Sequence, residues 1–170
     1  MAIEAGKHVL CEKELTNTVA DAEEMYAAAE KYNVMLQDGV WTRFFPAVEH
    51  ARHLIEEGAI GEVAMVQAYF ALVYPLQAVT LAYGDAKPTH IQVGGKPGGA
   101  GGAMLEFENN GFAFVASNAF PSEFPEVTEF VGTKGRITLE QPAHCPTALT
   151  VRIPPVTPYR YMNGNTPSPL

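Results

Sequence analysis

The first 38 residues alternate between apolar and amphipathic segments in the order strand, helix, strand. His8–Cys11 and Val34–Gln37 are short apolar runs. Between them, Thr16–Asn33 carries apolar residues at helical intervals, and either Thr16 or Thr18 can cap the start of the helix. Two strands joined by a helix pair in parallel with a right-handed crossover. The sequence therefore predicts a parallel βαβ unit.

A different pattern follows, in which short strands are joined mainly by tight turns. Helices are predicted over Pro46–Glu57 and Tyr74–Tyr83, each followed by a glycine that ends it. The predicted strands are Val63–Phe70, Thr89–Val93, Ala103–Glu108, Phe112–Asn118, Glu126–Val131 and Gly135–Leu139. The last four form two hairpins, the first around Asn110-Gly111, a strong hairpin signal. This part is predicted to be α+β with a largely antiparallel sheet.

These patterns divide the chain into three segments. Residues 1–38 form the α/β part, and residues 39–153 form the α+β part. In residues 154–170 prolines recur and the apolar period is lost, so this tail is predicted to be disordered.

The charge balance excludes some classes of partner. The net charge is −8, from 19 acidic and 11 basic residues, which argues against nucleic acid as a partner. No apolar run is long enough to predict a transmembrane helix. Cys11 and Cys145 are isolated, which is typical of a reducing compartment. We therefore expect a cytoplasmic protein that binds neither membrane nor nucleic acid.

Two short motifs are compatible with other kinds of site. Gly94–Gly102 is rich in glycine, but Lys96 is followed by Pro97 and the segment leads into a strand, so we predict a flexible hairpin connection and no phosphate loop. His50 and His53 lie three residues apart on a predicted helix. Because no third ligand is evident, no metal site is predicted.

Four segments resemble one enzyme family, in the same order and at plausible spacing. They are Ala5–Lys13, Asp38–Pro46, Ile60–Val63 and Val131–Ile137. They resemble, respectively, the A-G-K-H-V-L-x-E-K-P, W-x-R-x-x-P, G-x-I-G-x-[VIL] and G-T-K-G-x-[IV] segments of Gfo/Idh/MocA-type oxidoreductases. The resemblance implies a remnant of a Rossmann-like parallel sheet in residues 1–38. It implies a substrate and oligomerisation domain, with flanking helices, in residues 39–153.

Two short motifs, one of them within these segments, are most similar to one branch of that family. Trp41–Pro46 and Tyr74–Gln77 resemble the NADP-dependent dihydrodiol and D-xylose dehydrogenases, in which a tyrosine stands where many relatives have a catalytic histidine. The branch implies NADP as cofactor, with NAD also compatible. It implies a small-molecule diol or sugar as substrate, and a homo-oligomer formed through the sheet face.

The resemblance assigns roles to five residues. It implies that Lys13 and Tyr74 are catalytic, and that Glu12, Lys13, Trp41 and Arg43 bind the cofactor. Removing a hydride from a carbinol requires that the hydroxyl proton also leaves, so a positioned acid or base is needed. A nearby ammonium favours the ionised form of a phenol, which makes a lysine a sensible companion for a catalytic tyrosine.

The sequence departs from the family pattern in three ways. No G-x-G-x-x-G precedes Ala5, because Met1–Gly6 already reads as the last turn of a helix closed by a glycine. Glu14 stands where the family has proline, so a cis bond before it is not expected. Phe70 is separated from Tyr74 by only three residues, where the family has a long segment. We therefore expect a family member that is shortened before Met1 and again near residues 70–72.

Two functions are compatible with this pattern. One is a Gfo/Idh/MocA-type oxidoreductase, impaired by the shortening, that transfers a hydride between NADP and a vicinal diol or aldose. The other is a non-catalytic truncated paralogue or splice form that associates through its sheet with full-length relatives. An incomplete gene model would produce the same sequence pattern.

Overall fold

The computed structural model describes most of the 170 residues. The described residues are 1–71, 73–96, 99–117 and 126–155, together with the backbone of 159–162 and 165–169. They form two compact units, Met1–Phe44 and Phe45–Leu170. Each unit has its own secondary structure.

The first unit contains the predicted βαβ arrangement. Strand β1 spans Val9–Cys11, helix α1 spans Val19–Lys31 and strand β2 spans Leu36–Asp38. The two strands pair in parallel, which confirms the prediction. Thr18 is the residue that caps α1, since its side chain accepts a hydrogen bond from the backbone N–H of Asp21 at 3.1 Å.

A helical turn precedes β1, as the sequence predicts. The backbone N–H of Lys7 donates to the carbonyl of Ala2 at 3.2 Å, and the N–H of Gly6 donates to the carbonyl of Ile3 at 2.9 Å. These two bonds, with a φ of 70° at Gly6, are the Schellman arrangement that closes a helix. Gly6 therefore ends this turn and directs the chain into β1.

The second unit contains a seven-stranded mixed sheet and two helices. Helix α2 spans Pro46–Glu56 and helix α3 spans Val73–Tyr83. The strands are β3 (Val63–Tyr69), β4 (His90–Gly95), β5 (Gly101–Glu106), β6 (Phe112–Ser117), β7 (Val127–Gly132), β8 (Arg136–Leu139) and β9 (Leu149–Arg152). Their order is β4-β5-β6-β3-β7-β8-β9, in which only β3 and β6 pair in parallel. The predicted largely antiparallel sheet with flanking helices is confirmed.

Both helices contribute to a core on one face of this sheet. The buried core residues are Val48, Ala51, Ile60, Val66, Ala68, Ala78, Val79, Leu105, Phe107, Ala113, Val115, Phe130, Ile137 and Leu139. Those in the strands alternate with residues that point to the opposite side. The sheet therefore has one face covered by α2 and α3, and an opposite face that carries Met104, Phe114 and Tyr69.

The glycine run is more ordered than the sequence predicts. Instead of a loop over all of Gly94–Gly102, β4 continues to Gly95 and β5 begins at Gly101, so that Gly94 pairs with Gly102. A Cβ on Gly102 would lie 2.5 Å from the carbonyl oxygen of Val115, so the close pairing of β5 with β6 requires glycine there. Residues 97 and 98 of the predicted flexible connection lie outside the described residues.

Two features near the C-terminus differ from the prediction. Strand β9 was not predicted, because prolines flank it, yet Leu149 and Val151 pair with Leu139 and Ile137 of β8. Beyond it, β10 (Tyr159–Met162) and β11 (Asn165–Pro169) pair as an antiparallel ribbon where the sequence predicts a disordered tail. Their backbone groups pair with each other, and the remainder of that tail beyond residue 155 lies outside the described residues.

Across the described part of the chain, none of the helices combines the length and the apolar character needed to cross a membrane. Cys11 and Cys145 are both free thiols and both half-buried.

Candidate functional site

Four of the predicted site residues directly follow the ends of two paired strands. Glu12 and Lys13 come immediately after β1. Trp41 and Arg43 lie in a 3₁₀ turn, Trp41–Phe44, that begins three residues after β2. Because β1 and β2 are parallel, their carboxyl ends meet at one edge, which is where open α/β sheets bind their ligands. The structure therefore places all four near the carboxyl-terminal edge of the two strands of the first unit.

The two strand ends meet in close backbone contact at Gly39. Its N–H donates to the carbonyl of Cys11 at 2.6 Å. A Cβ at Gly39 would lie 2.9 Å from that oxygen and 3.1 Å from the Cα of Glu12. Asp38 supports the same bend, since its Oδ1 accepts from the N–H of Val40 at 2.8 Å. Gly39 was not among the predicted site residues, although a glycine two positions after a predicted strand was the available signal.

Lys13 is held in a tight turn beside two carboxylates. Its backbone N–H donates to Glu12 Oε2 at 3.2 Å, and its Nζ lies 3.8 Å from Glu14 Oε1. The side chain is 32% exposed, so this pair is a weak, solvent-screened one. The Lys13–Glu14 peptide bond is cis, so the expectation that it would be trans was wrong. That expectation used residue type alone, because cis bonds are rare before residues other than proline.

The 3₁₀ turn directs two large side chains outward. Thr42 is buried, with 6% of its surface exposed, and so anchors the turn. Its neighbours Trp41, which is 40% exposed, and Arg43 remain at the surface. An exposed indole can pack against a flat ring, and a guanidinium can donate to phosphate or hydroxyl oxygens. Both side chains are therefore exposed at this edge.

Tyr74 lies in the second unit, near the start of α3, in an aromatic and polar cluster. Its half-buried ring is 5.4 Å from the ring of Phe70 and 5.9 Å from that of His144. The rings of Phe70 and His144 stack at 4.7 Å with an interplanar angle of 12°. Glu126 contacts Nδ1 of His144 at 2.5 Å. We call these four residues the Tyr74 cluster.

The register of the sheet explains how the Tyr74 cluster forms. Tyr69 pairs with Val127 in the antiparallel β3–β7 ladder, so Phe70 and Glu126 adjoin at the same end of the sheet. Strand β8 ends at this side too, and the turn that follows it carries His144. Glu126 and His144 were not among the predicted site residues, because no local pattern joins residues that are 18 positions apart.

The sheet face opposite α2 and α3 carries a shallow groove of about 450 Å³ at the β4–β6 end. Met104 and Phe114 lie opposite each other there, and Phe114 is 38% exposed. The ring of Tyr69 meets that of Phe114 edge-on at 5.8 Å. Burial raises the pKa of the Tyr69 phenol, and the nearby carboxylate of Glu129 raises it further. The face is thus partly apolar and open.

No three His, Cys, Asp or Glu side chains within the described ranges are grouped so that they could hold a metal ion. His53 instead lies beside the ion pairs that Arg52 makes with Glu49 and Glu56 on the surface of α2, with its Nδ1 3.7 Å from Glu56.

Comparison with known proteins shows which proteins this chain is similar to. Residues 1–40 match the family model described as an oxidoreductase family with an NAD-binding Rossmann fold. The trans-1,2-dihydrobenzene-1,2-diol dehydrogenase of Danio rerio is 33% identical, over 86% of this chain and 52% of the relative. Its Xenopus laevis counterpart is 31% identical, over 96% of this chain and 60% of the relative. Residues 1–40 therefore match the NAD-binding Rossmann fold of the Gfo/Idh/MocA oxidoreductase family, and over most of its length the chain is similar to trans-1,2-dihydrobenzene-1,2-diol dehydrogenases.

Solved structures agree with this assignment at the level of the fold. The chain is similar to an aldose-aldose oxidoreductase from Caulobacter crescentus, with a TM-score of 0.76 and 23% identity over 99% of this chain and 57% of that one. It is also similar to KijD10, a 3-ketoreductase from Actinomadura kijaniata in complex with NADP, with a TM-score of 0.70 and 23% identity over 90% of this chain and 55% of that one. The chain spans between half and two thirds of the length of the relatives it matches.

Proposed function

We propose that the chain provides part of an NADP(H)-dependent oxidoreductase that transfers a hydride between the nicotinamide and a vicinal diol or an aldose. The observation that carries this proposal is the shared name of the relatives, which are dehydrogenases of a vicinal diol. The 3-ketoreductase that holds NADP and the aldose-aldose oxidoreductase of similar fold support the cofactor and the substrate class. NAD is compatible with the same edge.

The residues at the β1–β2 edge fit one part of such a cofactor. Lys13 and Arg43 supply positive charge, and Trp41 supplies an exposed ring at an edge where Gly39 allows close backbone approach. The bound nicotinamide would exchange the hydride. Lys13 would lie near the nicotinamide and the substrate hydroxyl. The backbone of Glu12 would lie beside the cofactor. Tyr74 would carry the hydroxyl proton.

Cofactor binding is the first test, because Trp41 is the only tryptophan and lies at the proposed site. NADPH is expected to quench its fluorescence, and Lys13→Met is expected to weaken the affinity about tenfold, which is ~1.4 kcal/mol. Lys7→Met, an exposed lysine of the same unit, is the matched control and should leave the affinity unchanged. Unchanged fluorescence at millimolar NADPH would rule out the proposal.

Turnover is the second test, and it addresses Tyr74 separately from the cofactor. Because of the short β3–α3 connection we expect slow oxidation of diol or aldose, measured as NADPH formed in single turnovers. Tyr74→Phe is expected to lower this rate by about 10²-fold or more while NADPH affinity stays the same. Tyr26→Phe, on the exposed surface of α1, is the control. Equal rates for Tyr74→Phe and the unchanged chain would remove Tyr74 from the mechanism.

The open sheet face favours a second role, which is association. We propose that the chain pairs with a second copy, or with a full-length relative, through the face that carries Met104 and Phe114. An exposed aromatic beside an apolar groove is typical of a surface that is covered in an assembly. This role needs no catalysis, so it would hold even if the chain were inactive.

A further inference from the structure

The Tyr74 cluster contains an imidazole–carboxylate pair that the proposed reaction does not use. We propose that His144, held by Glu126, is a positioning residue that fixes the orientation of the Tyr74 ring. This inference rests on the proposed function only for its catalytic consequence, because the packing of the three rings is a feature of the fold itself.

Glu126 holds His144 at two points with a single oxygen atom. Its Oε2 lies 2.5 Å from Nδ1 of His144 and 3.3 Å from the backbone nitrogen of the same residue. An ionised carboxylate can only accept hydrogen bonds, so Nδ1 is the donor in this contact. Side chain and backbone are thus fixed together, which restricts both the position of the residue and the rotation of its ring.

The turn that carries His144 is anchored on both sides. Ala143 before it is buried, and Pro146 after it is among the most completely buried residues of the described chain. The backbone N–H of Cys145 donates to the carbonyl of Pro142 at 3.0 Å and closes the turn. The imidazole therefore projects from a rigid support.

The fixed imidazole of His144 restricts the orientation of the Tyr74 ring through contacts between aromatic rings. His144 stacks flat on Phe70, and Tyr74 packs at an angle against both rings, at centroid distances of 5.4 Å and 5.9 Å. Distances of this size are those at which aromatic rings interact favourably. Two neighbours held by different elements limit how the phenol ring can turn, and the direction of its hydroxyl is fixed with it.

The test observes Tyr74 directly, without requiring turnover. The chain contains seven tyrosines, and in protein labelled with ¹³C-tyrosine the Tyr74→Phe variant identifies the Tyr74 ring signals. Replacing the ring with His144→Gln is expected to move these signals toward their random-coil positions. Glu126→Ala is expected to move them in the same direction. Glu126→Gln keeps an acceptor oxygen and is expected to restore most of the original position.

His53→Gln is the matched control, because this exposed histidine lies on α2 outside the Tyr74 cluster; it should leave the Tyr74 signals in place. Dispersed signals from Tyr69 and Tyr83 report that the variants are folded. If the His144→Gln variant loses these dispersed signals, the Glu126→Ala variant tests the positioning role instead. Unchanged Tyr74 signals in the folded variants would overturn the inference.

The catalytic consequence is measured in a separate experiment. In protein that turns over, His144→Gln is expected to lower kcat severalfold and leave NADPH affinity unchanged. A shift of the Tyr74 signals without any turnover would support the positioning role and count against the proposed function. Turnover with unshifted Tyr74 signals would support the proposed function and count against the positioning role of His144. Failure of the positioning role can therefore be distinguished from failure of the proposed function.

Discussion

At the scale of single residues, Gly39 allows the ends of β1 and β2 to approach each other closely. A Cβ there would meet the carbonyl of Cys11 and the Cα of Glu12, which are both backbone atoms and cannot turn aside. Gly39→Ala is therefore expected to displace the segment that carries Lys13 and to cost about 1–3 kcal/mol in stability. NADPH affinity, measured by Trp41 fluorescence, should fall in parallel.

The control for this change is another glycine of a strand. Gly94 has no atom within 4 Å of its Cβ position and no positive φ, so Gly94→Ala should change neither affinity nor stability appreciably. Equal NADPH affinity in the folded Gly39→Ala variant and the unchanged chain would show that the close approach does not matter for binding.

The site residues differ in how far the sequence could predict them. Lys13 and Trp41 stand within contiguous motifs, so their place after a strand followed from local pattern, and the structure has them there. Glu126 and His144 belong to segments that only the β3–β7 and β7–β8 ladders bring beside Phe70. Register between distant strands is decided by the packing of a whole sheet, which no short motif records.

At the scale of elements, Tyr83 fastens the end of α3 to the β5–β6 hairpin. Its hydroxyl donates to the carbonyl of Phe112 at 3.0 Å and accepts from the N–H of the same residue at 3.1 Å. Its ring packs on Phe107 at 4.4 Å. Tyr83→Phe leaves two half-buried backbone groups without this partner, so the free energy of unfolding measured in urea should fall by about 1–3 kcal/mol. Tyr26→Phe, which is exposed, should be neutral.

Ionisation of the Tyr83 phenol is expected to lower the stability of the folded chain at alkaline pH. Burial raises the pKa of the Tyr83 phenol above its ordinary value, and the hydrogen bond with the backbone of Phe112 offsets only part of this. The folded state thus prefers the neutral phenol. The resulting stabilisation is complete below the unfolded value near pH ~10 and is lost as pH rises through the higher folded pKa.

Urea titrations at a series of pH values below and above the unfolded pKa of tyrosine measure this loss of stability. The decline should be shallower in Tyr83→Phe than in the unchanged chain, and a decline of the same steepness in both would contradict the assignment. Tyr69, whose pKa is raised in the same direction, contributes to the decline that remains in the variant.

Elements with local signals were predicted well, and those without them were not. The β5–β6 hairpin follows from Asn110-Gly111, and Asn110 adopts the positive φ of 60° that such a turn needs. Strand β9 has no such signal, because its pairing with β8 supplies the hydrogen bonds that its own sequence does not indicate. The glycine residues of β4 and β5 are typical of a loop because glycine lowers strand propensity, whereas close packing against β6 requires glycine at Gly102.

At the scale of the whole molecule, the two patterns of periodicity in the sequence correspond to two compact units. Helical spacing between short apolar runs produced the parallel unit, and strict alternation with tight turns produced the seven-stranded sheet. Because side chains alternate along each strand, the sheet also has a second face, opposite α2 and α3. A sheet face that carries an exposed aromatic residue is typical of a surface that a partner covers, and the proposed assembly would use this face.

Phe114 tests this expectation. The unchanged chain is expected to sediment at equilibrium as a dimer, which for a stable interface requires burial of about 800 Å² on each copy. Phe114→Glu places a charge within that face, so it should sediment as a monomer while keeping its circular dichroism. Met35→Glu changes an exposed apolar residue of the first unit and should remain dimeric. A monomeric unchanged chain that also fails to bind a full-length relative would exclude this face as an interface, as would a dimeric Phe114→Glu variant.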